Sequence, residues 1–367
     1  MSATPPVATT VAAAPDGLRR PVPSSRTLDL MRSGRRQRRA RRTAVVTLLA
    51  LLTVLAFVAS LSLGQSVYSL REVARVVGGE SVPGASFTVG ELRLPRAVLA
   101  VLVGLSFGLA GAAFQTLLRN PLASPDIVGV TEGASAAAAI AIVSFGLSGL
   151  TVSALAVTAG LGVALTMYVV AYRRGTAAGT RLILVGIGIA AMMHSLISWQ
   201  LERATNTQIL EALRWLTGSL NGARWQAVVP VLLALVVLGT VVLVQTRQLE
   251  ISHLGDDAAS ALGVRVERLR LLTVVAAVGL VCVATAAAGP IAFLAFLSGP
   301  IAARVVGPHG SVLVPAALVG ALLTLVADFA GQHAFGTRLP VGVVTGILGA
   351  PYLLYLIVRI NRVGGTS

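Results

Sequence analysis

Long apolar stretches separated by short polar segments make up most of this chain. A helix needs about 20 mostly apolar residues to cross roughly 30 Å of hydrocarbon, and the pattern predicts ten such spans, the eighth too short to cross as a regular helix. The predicted spans cover residues 44–63, 97–118, 128–146, 149–172, 182–200, 226–244, 271–288, 290–303, 312–330 and 341–358.

The length of these stretches also predicts the fold class. Hydrocarbon offers no hydrogen-bond partner to exposed backbone, and the stretches are much longer than the strands of a membrane barrel. The sequence therefore predicts an all-α fold, a polytopic membrane helical bundle. The composition agrees, because 55% hydrophobic residues, 12% charged residues and a mean hydropathy of +0.85 exclude an ordinary soluble domain.

Charge divides the chain into three parts. Residues 1–42 contain ten arginines against Asp16 and Asp29, and they are predicted to be a disordered basic tail. A basic segment that touches the first span usually sets topology and lies on anionic lipid, so no nucleic-acid partner is expected. Residues 43–360 form the predicted ten-helix domain, and residues 361–367 form a short C-terminal tail.

The distribution of arginine predicts the orientation in the membrane. All 29 basic residues are arginines. If both termini are cytoplasmic, 21 arginines lie inside and eight lie outside. This excess follows the positive-inside rule and favours two cytoplasmic termini.

A small polar island, HLGDDAASALGVR at residues 253–265, interrupts the apolar pattern. It predicts a short cytoplasmic helix with Asp256 and Asp257 in the first turn, where acidic groups suit the helix dipole, and with Gly263 as the left-handed stop. One face of this helix is apolar, comprising Leu254, Ala258, Ala261 and Leu262. Alanine is a weak membrane anchor, so a protein partner is favoured over the bilayer surface.

Residues at the start and middle of the second span carry two further predictions. Pro95 suits a first helical turn, which places Arg93 and Arg96 at the outer mouth of the span. These arginines either snorkel to the interface or dock an acidic partner. Within the span, small residues that permit close helix packing recur at Gly104, Gly108 and Gly111.

A few polar residues lie at membrane depth, namely Asp126, Glu132, His194 and Asp328. Such groups serve proton relays in secondary transporters, but hydrogen bonding within the bundle is the favoured interpretation because no two acids share one span at i, i+4. The sequence lacks a phosphate-binding loop, an H-E-x-x-H motif and a metal-ligand cluster. The single Cys282 excludes an intrachain disulfide.

Five segments together resemble a known family. They are RLPRAVLAVLVGLSFGLAGAAFQTLLRNPLASPDIVGVTEGA, WLTGSL, LGDDAASALGV, GPIAFLAFLSGPIAAR and LPVGVVTGILGAPYLLYLI. The chain is similar to FecCD-type permeases, the transmembrane subunits of ABC importers for iron-siderophores, haem and cobalamin. The resemblance covers residues 44–360 and implies the type II importer permease fold with ten helices.

The resemblance also implies partners. Residues Leu254 to Gly263, including Gly255, would dock a separate ATPase that binds ATP and Mg, so this chain itself would hold no cofactor. Arg93 and Arg96 would meet acidic residues of an extracytoplasmic substrate-binding lipoprotein. Many relatives have an acidic residue where this chain has Arg338, and we expect Arg338 to take over part of that docking charge.

Departures from the family pattern affect the dimer that the resemblance implies. Gly299, Pro300 and Ile301 stand where most relatives have Pro followed by His or Gln. Ala330, Gly331 and Gln332 also replace the Ala-Arg that usually follows the aspartate of the ninth span. Together with Arg338, these residues resemble one member of an enterobactin-type pair, which favours a heterodimer with a second permease.

The resemblance implies the substrate, the location and the energy source. A ferric siderophore is the expected substrate, with haem and cobalamin open, in the plasma membrane of a bacterium. The rival class is a proton-coupled transporter, which would need no ATPase and would depend on an acid such as Glu132 or Asp328.

Overall fold

The computed structural model describes residues 25–126, 129–173, 176–177, 179–307 and 310–364. Helices α1 to α7 cover Ser25–Ser62, Leu70–Val77, Leu94–Leu118, Val130–Phe145, Leu150–Ala171, Gly179–Glu202 and Asn206–Leu216. Helices α8 to α15 cover Trp225–Ala234, Thr240–Val244, Thr246–Ser252, Asp256–Ala261, Val266–Ala288, Leu294–Val306, Leu313–His333 and Val341–Gly364. Two π-helical segments span Ser86–Arg93 and Leu235–Gly239. Strands β1 (Tyr172–Arg173) and β2 (Thr176–Ala177) pair antiparallel.

Ten apolar segments are helical. Among the described residues, eight helical stretches are long and apolar enough to cross a membrane, and two apolar helices, α4 and α13, are shorter. The predicted all-α bundle is therefore confirmed apart from the small β1–β2 pair. Helix α13 is the segment that the sequence predicted to be too short.

The start of α13 differs from the prediction by four residues. The span was predicted from residue 290, whereas the helix begins at Leu294. Gly289 and Phe293 both have positive φ angles, of 71° and 61°, and Pro290 between them lacks a backbone N–H. Backbone in this conformation cannot continue a right-handed helix, so the apolar run starts as a loop.

Residues 25–42 also differ from the prediction of a disordered tail. They form the first part of α1, and arginine, which is the most frequent residue here, is a good helix former. Residues 1–24 and 365–367 of the two predicted tails lie outside the described residues. Inter-residue packing divides the chain into Met1–Arg42 and Thr43–Ser367.

Helix α3 lies at the centre of the unit Thr43–Ser367. Most of its residues are buried, and it packs against α12, α13 and α14. A Cβ atom built on Gly104, Gly108 or Gly111 would lie 2.5, 2.3 or 2.0 Å from backbone atoms of α14, α14 and α13, respectively. The three helices therefore meet backbone to backbone along one face of α3, which only glycine permits at these positions.

Candidate functional site

Two polar clusters occupy opposite ends of α3. Arg96 lies in its first turn, and Arg119 follows its last residue and contacts Asp256. With a rise of about 1.5 Å per residue, the helix separates Arg96 and Arg119 by roughly 35 Å. We call the two clusters the Arg96 end and the Asp256 end of the bundle.

The polar island 253–265 forms the short helix α11 at the Asp256 end, as the sequence predicts. Asp256 and Asp257 occupy its first turn. Gly255, with φ of 104°, precedes the helix, and Gly263, with φ of 85°, follows it. Both φ values lie in the region that favours glycine, so these two residues fix where the helix starts and stops.

One face of α11 packs against the rest of the protein, and the opposite face is exposed. Ala259 and Val264 are buried and anchor the segment. Leu254 and Leu262 are 65% and 62% exposed, and Ala258 and Ala261 are also exposed. An apolar patch on an otherwise polar connecting loop is typical of a surface that another protein covers.

Asp256 joins α11 to two long helices. Its two carboxylate oxygens accept hydrogen bonds from the guanidinium groups of Arg119 and Arg270, the second at 3.0 Å. Arg119 follows α3, and Arg270 lies in the first turns of α12. These bonds were not predicted, and no local sequence pattern indicates them.

At the Arg96 end, the predicted docking arginines make bonds within the chain. Arg96 donates two hydrogen bonds of 2.8 Å to the carboxylate of Asp328 and one of 2.6 Å to the Asn221 side chain. Asp328 also accepts a bond from Gln332. This arrangement confirms the interpretation that Asp328 hydrogen-bonds a neighbouring helix.

Arg93 is committed in a similar way, although to backbone. Its guanidinium donates to the carbonyl oxygens of Leu61 and Ser66, at 2.8 and 2.7 Å, and lies over the ring of Tyr68. These contacts link the start of α3 to the end of α1, independently of any partner.

Arg338 differs from the other two arginines. It is exposed in the loop between α14 and α15, and it has no hydrogen bond or ion pair within the described part of the chain. Two open cavities, of about 590 and 970 Å³, share Arg338 in their walls. Arg214 and Arg224 also line the larger one, so the rim at this end is rich in positive charge.

Three of the segments that carry the family resemblance converge at this end through backbone contacts. The N–H of Ser219 in WLTGSL donates to the carbonyl of Ala288, beside GPIAF, at 2.7 Å. The N–H of Gly342 in LPVG donates to the carbonyl of Gly218, which has a φ of 66°, at 3.1 Å. The glycine in each segment was the feature of the sequence that could have indicated these contacts, because such close backbone approach leaves no room for a side chain.

Two acidic residues lie near one another close to the Asp256 end. The Glu132 carboxylate lies close enough to Asp126 for the two acidic groups to interact electrostatically. Asp126 lies in the loop before α4 and accepts a hydrogen bond from Thr131 at 3.2 Å. Oε2 of Glu132 is buried and has no hydrogen-bond partner among the described residues, so the predicted bond to a neighbouring helix is not seen at that atom.

The fold and the two clusters define a class, a multi-pass helical membrane protein with a loop helix whose apolar face is exposed. Residues 52–359 match the FecCD transport family, and the chain belongs to that family. It is therefore a transporter permease subunit.

Curated relatives cover most of the chain. It is 38% identical over 310 residues to the ferric enterobactin transport system permease protein FepG of Escherichia coli (strain K12), covering 84% of this chain and 94% of FepG. Identity is 35% over 320 residues to the iron(3+)-hydroxamate import system permease protein FhuG of Bacillus subtilis (strain 168), with the same coverage. It is 35% over 274 residues to the cobalamin import system permease protein BtuC of Halobacterium salinarum, covering 74% of each chain.

A solved structure shares the fold. An inward-facing metal-chelate-type ABC transporter superposes with a TM-score of 0.77 at 26% identity, covering 86% of this chain and 99% of the solved chain. The predicted permease fold is thereby confirmed, and the protein is a multi-pass membrane protein of the ABC transporter class.

Proposed function

We propose that this permease carries a ferric siderophore into the cytoplasm, driven by ATP hydrolysis on a separate subunit. Relatives at 38% identity are named as ferric enterobactin and achromobactin permeases, which supports an iron chelate. The cobalamin permease among the relatives keeps cobalamin as the second candidate. Uptake of ⁵⁵Fe-labelled enterobactin, citrate and hydroxamate chelates, compared with labelled cobalamin, measures the substrate directly, and uptake of cobalamin alone would overturn the iron assignment.

The exposed apolar face of α11 carries the proposal that an ATPase docks there. Leu254, Ala258 and Leu262 present apolar surface in a loop, and the sequence contains no phosphate-binding motif of its own. The partner would hold ATP and Mg, and this chain would hold neither. Hydrolysis on that partner would then drive movement of α11.

Charge placed on this face is expected to remove the ATPase. The double variant Ala258→Glu/Leu262→Glu puts two carboxylates against an apolar partner surface, and desolvating them without partners is costly. We expect at least a tenfold loss of ATPase that co-purifies from detergent. Ser260→Glu is the matched control, because Ser260 is exposed on the opposite side of the same helix. Equal ATPase recovery from the double variant and this control would exclude α11 as the docking surface.

A second permease is proposed to complete the transmembrane part. Long apolar side chains on α5, α6 and α15 are exposed in the single chain, including Leu165, Ile187 and Ile347, and lipid and a paralogous permease would share this surface. The resemblance to enterobactin-type pairs favours a heterodimer. The same purification tests it, because a homodimer would yield no second permease sequence.

The proposed site for a binding protein centres on Arg338. Arg93 and Arg96 make internal bonds, whereas Arg338 is exposed and unpaired within the described residues, so it can meet an acidic side chain of a partner without breaking existing contacts. Arg214 and Arg224 strengthen the positive potential around it. The expected partner is the extracytoplasmic substrate-binding lipoprotein.

Reversing this charge is expected to weaken binding of that protein. Arg338→Glu should lower the affinity about 3- to 10-fold, mostly by slowing association, because charges at the rim act mainly on the encounter rate. Biolayer interferometry with the purified binding protein at low and moderate salt measures the affinity and the association rate. Arg71→Glu, at an exposed arginine in α2, is the control. If both variants bind like wild type, Arg338 has no docking role.

The proposed orientation places both termini and the Asp256 end in the cytoplasm of a bacterium, and the Arg96 end outside. The arginine excess on one side supports it, and an ATPase in the cytoplasm requires α11 on that side. The basic segment before the first span would then lie on anionic lipid of the inner leaflet.

A further inference from the structure

Arg119 combines two unusual features at the end of α3. It is one of two non-glycine residues with positive φ in the described part of the chain, at 50°, and its guanidinium binds Asp256 on α11. Glycine would adopt this left-handed conformation without the steric cost that a Cβ atom brings. The backbone turn ends α3, and the side chain at that turn is directed to the short helix.

Asp256 links two rigid elements through its second bond. Arg270, which holds the other carboxylate oxygen, lies in α12 and also bonds Glu267 one turn earlier. Helices α3 and α12 pack directly against each other. Asp256 is therefore held from both sides by helices that share one interface.

Helix α3 is fixed along its whole length as well. Backbone contacts at Gly108 and Gly111 join it to α14 and α13, and the Arg96–Asp328 ion pair joins its far end to α14. Densely packed helices of this kind move as bodies and do not deform locally. A displacement of α11 that acts through Asp256 would therefore move α3 with its neighbours.

We propose that Arg119 is a positioning residue that fastens α11 to α3, so that a partner pushing on α11 moves the central helix of the permease. This rests on the proposed function, in which an ATPase docks on α11. Arg119 lies outside the exposed apolar face of α11, so docking and transmission involve different residues. The apolar face binds the ATPase, and the Arg119–Asp256 bond transmits the movement of α11 to α3.

The half-exposed character of the pair supports a positional role over a stabilising one. Exposed ion pairs contribute little to the free energy of unfolding. The Arg119 and Asp256 side chains are both more than a third exposed, so removing the bond should leave the fold intact. What is lost is the orientation of α11 relative to α3.

Variants at Arg119 test this proposal. Arg119→Gln should reduce uptake of the ⁵⁵Fe chelate that wild type accumulates fastest by at least fivefold, with unchanged melting temperature and unchanged co-purified ATPase. Arg119→Lys, which keeps the charge, should retain at least half of wild-type uptake. Arg268→Gln is the matched control, because Arg268 is exposed in the same region and makes no hydrogen bond or ion pair within the described residues.

A double variant separates transmission from a general effect of lost charge. If Arg119 acts through Asp256, adding Arg119→Gln to Asp256→Asn should cause no further loss of uptake. Additive losses, or uptake by Arg119→Gln equal to that of Arg268→Gln, would overturn the proposal. Loss of ATPase from Arg119→Gln would make Arg119 part of the docking surface and would also overturn it. Absence of ATPase from wild type would instead contradict the proposed function.

Discussion

Replacing Gly108 with alanine is expected to destabilise the folded permease strongly. The added Cβ would lie 2.3 Å from the carbonyl oxygen of Ala316 and 3.1 Å from the Cα of Ala317, and both are backbone atoms of α14. Neither helix can yield without moving the other contacts along α3. Overpacking a dense interior by one methyl group costs about 1–3 kcal/mol, and a clash with backbone belongs at or above the top of that range. The readout is the melting temperature of the detergent-purified protein, followed by tryptophan fluorescence.

Gly162→Ala is a control that is expected to change the stability in the opposite direction. Gly162 lies inside α5, and a Cβ atom there meets nothing within 4 Å. Alanine is favoured over glycine in a helix by up to about 1 kcal/mol, so this variant should be equal to wild type or more stable. If Gly108→Ala melted at or above the temperature of Gly162→Ala, the backbone contact between α3 and α14 would be wrong.

Removing Asp328 is expected to have an effect of similar size at the Arg96 end. The Arg96 and Asp328 side chains are only 19% and 8% exposed, so Asp328→Ala leaves a largely buried guanidinium with Asn221 as its remaining partner. Breaking a buried ion pair on one side costs about 3–5 kcal/mol because the other charge stays uncompensated. We expect the low end of this range, since Arg96 keeps some contact with water.

Two comparisons identify the cause of that loss. The double variant Arg96→Leu/Asp328→Leu removes both charges and should recover much of the stability, because apolar replacement of a buried pair is often tolerated. Glu80→Ala breaks the exposed pair with Arg75, whose side chains are 50% and 60% exposed, and should cost less than about 1 kcal/mol. A double variant less stable than Asp328→Ala would contradict this account of the pair.

The sequence predicts the parts of this protein that depend on local pattern. Apolar length identifies the eight helical stretches that are long enough to cross a membrane and the two shorter apolar helices of the described residues. The island with Asp256, Asp257 and Gly263 identifies α11, because hydrophobicity and turn chemistry act between neighbours in the chain. Arg119 and Asp256 are 137 residues apart, and Arg96 and Asp328 are 232 apart. Pairs at such separations depend on how the helices pack, which one sequence does not specify.

The predicted role of Arg96 shows the same limit. Its position in the sequence places Arg96 at a membrane boundary, where the two expected roles were docking of a partner and snorkelling to the interface. Its bond to Asp328 gives it a third role, in which the arginine joins two helices of its own chain. The converging glycines Gly218, Gly289 and Gly342 were also recognisable only as turn or packing signals until their backbone partners were known.

The unpaired state of Arg338 has a consequence for how this protein diverges over time. Arg93 and Arg96 cannot change without loss of internal bonds, so their identity is constrained by folding. Arg338 lies in a connecting loop and makes no such bond within the described residues. A substitution there alters the surface charge that faces a binding partner and leaves the interior packing unchanged. Under the proposed docking role of Arg338, partner recognition and the fold depend on separate positions, so mutation of a single loop residue would alter the partner without altering the fold.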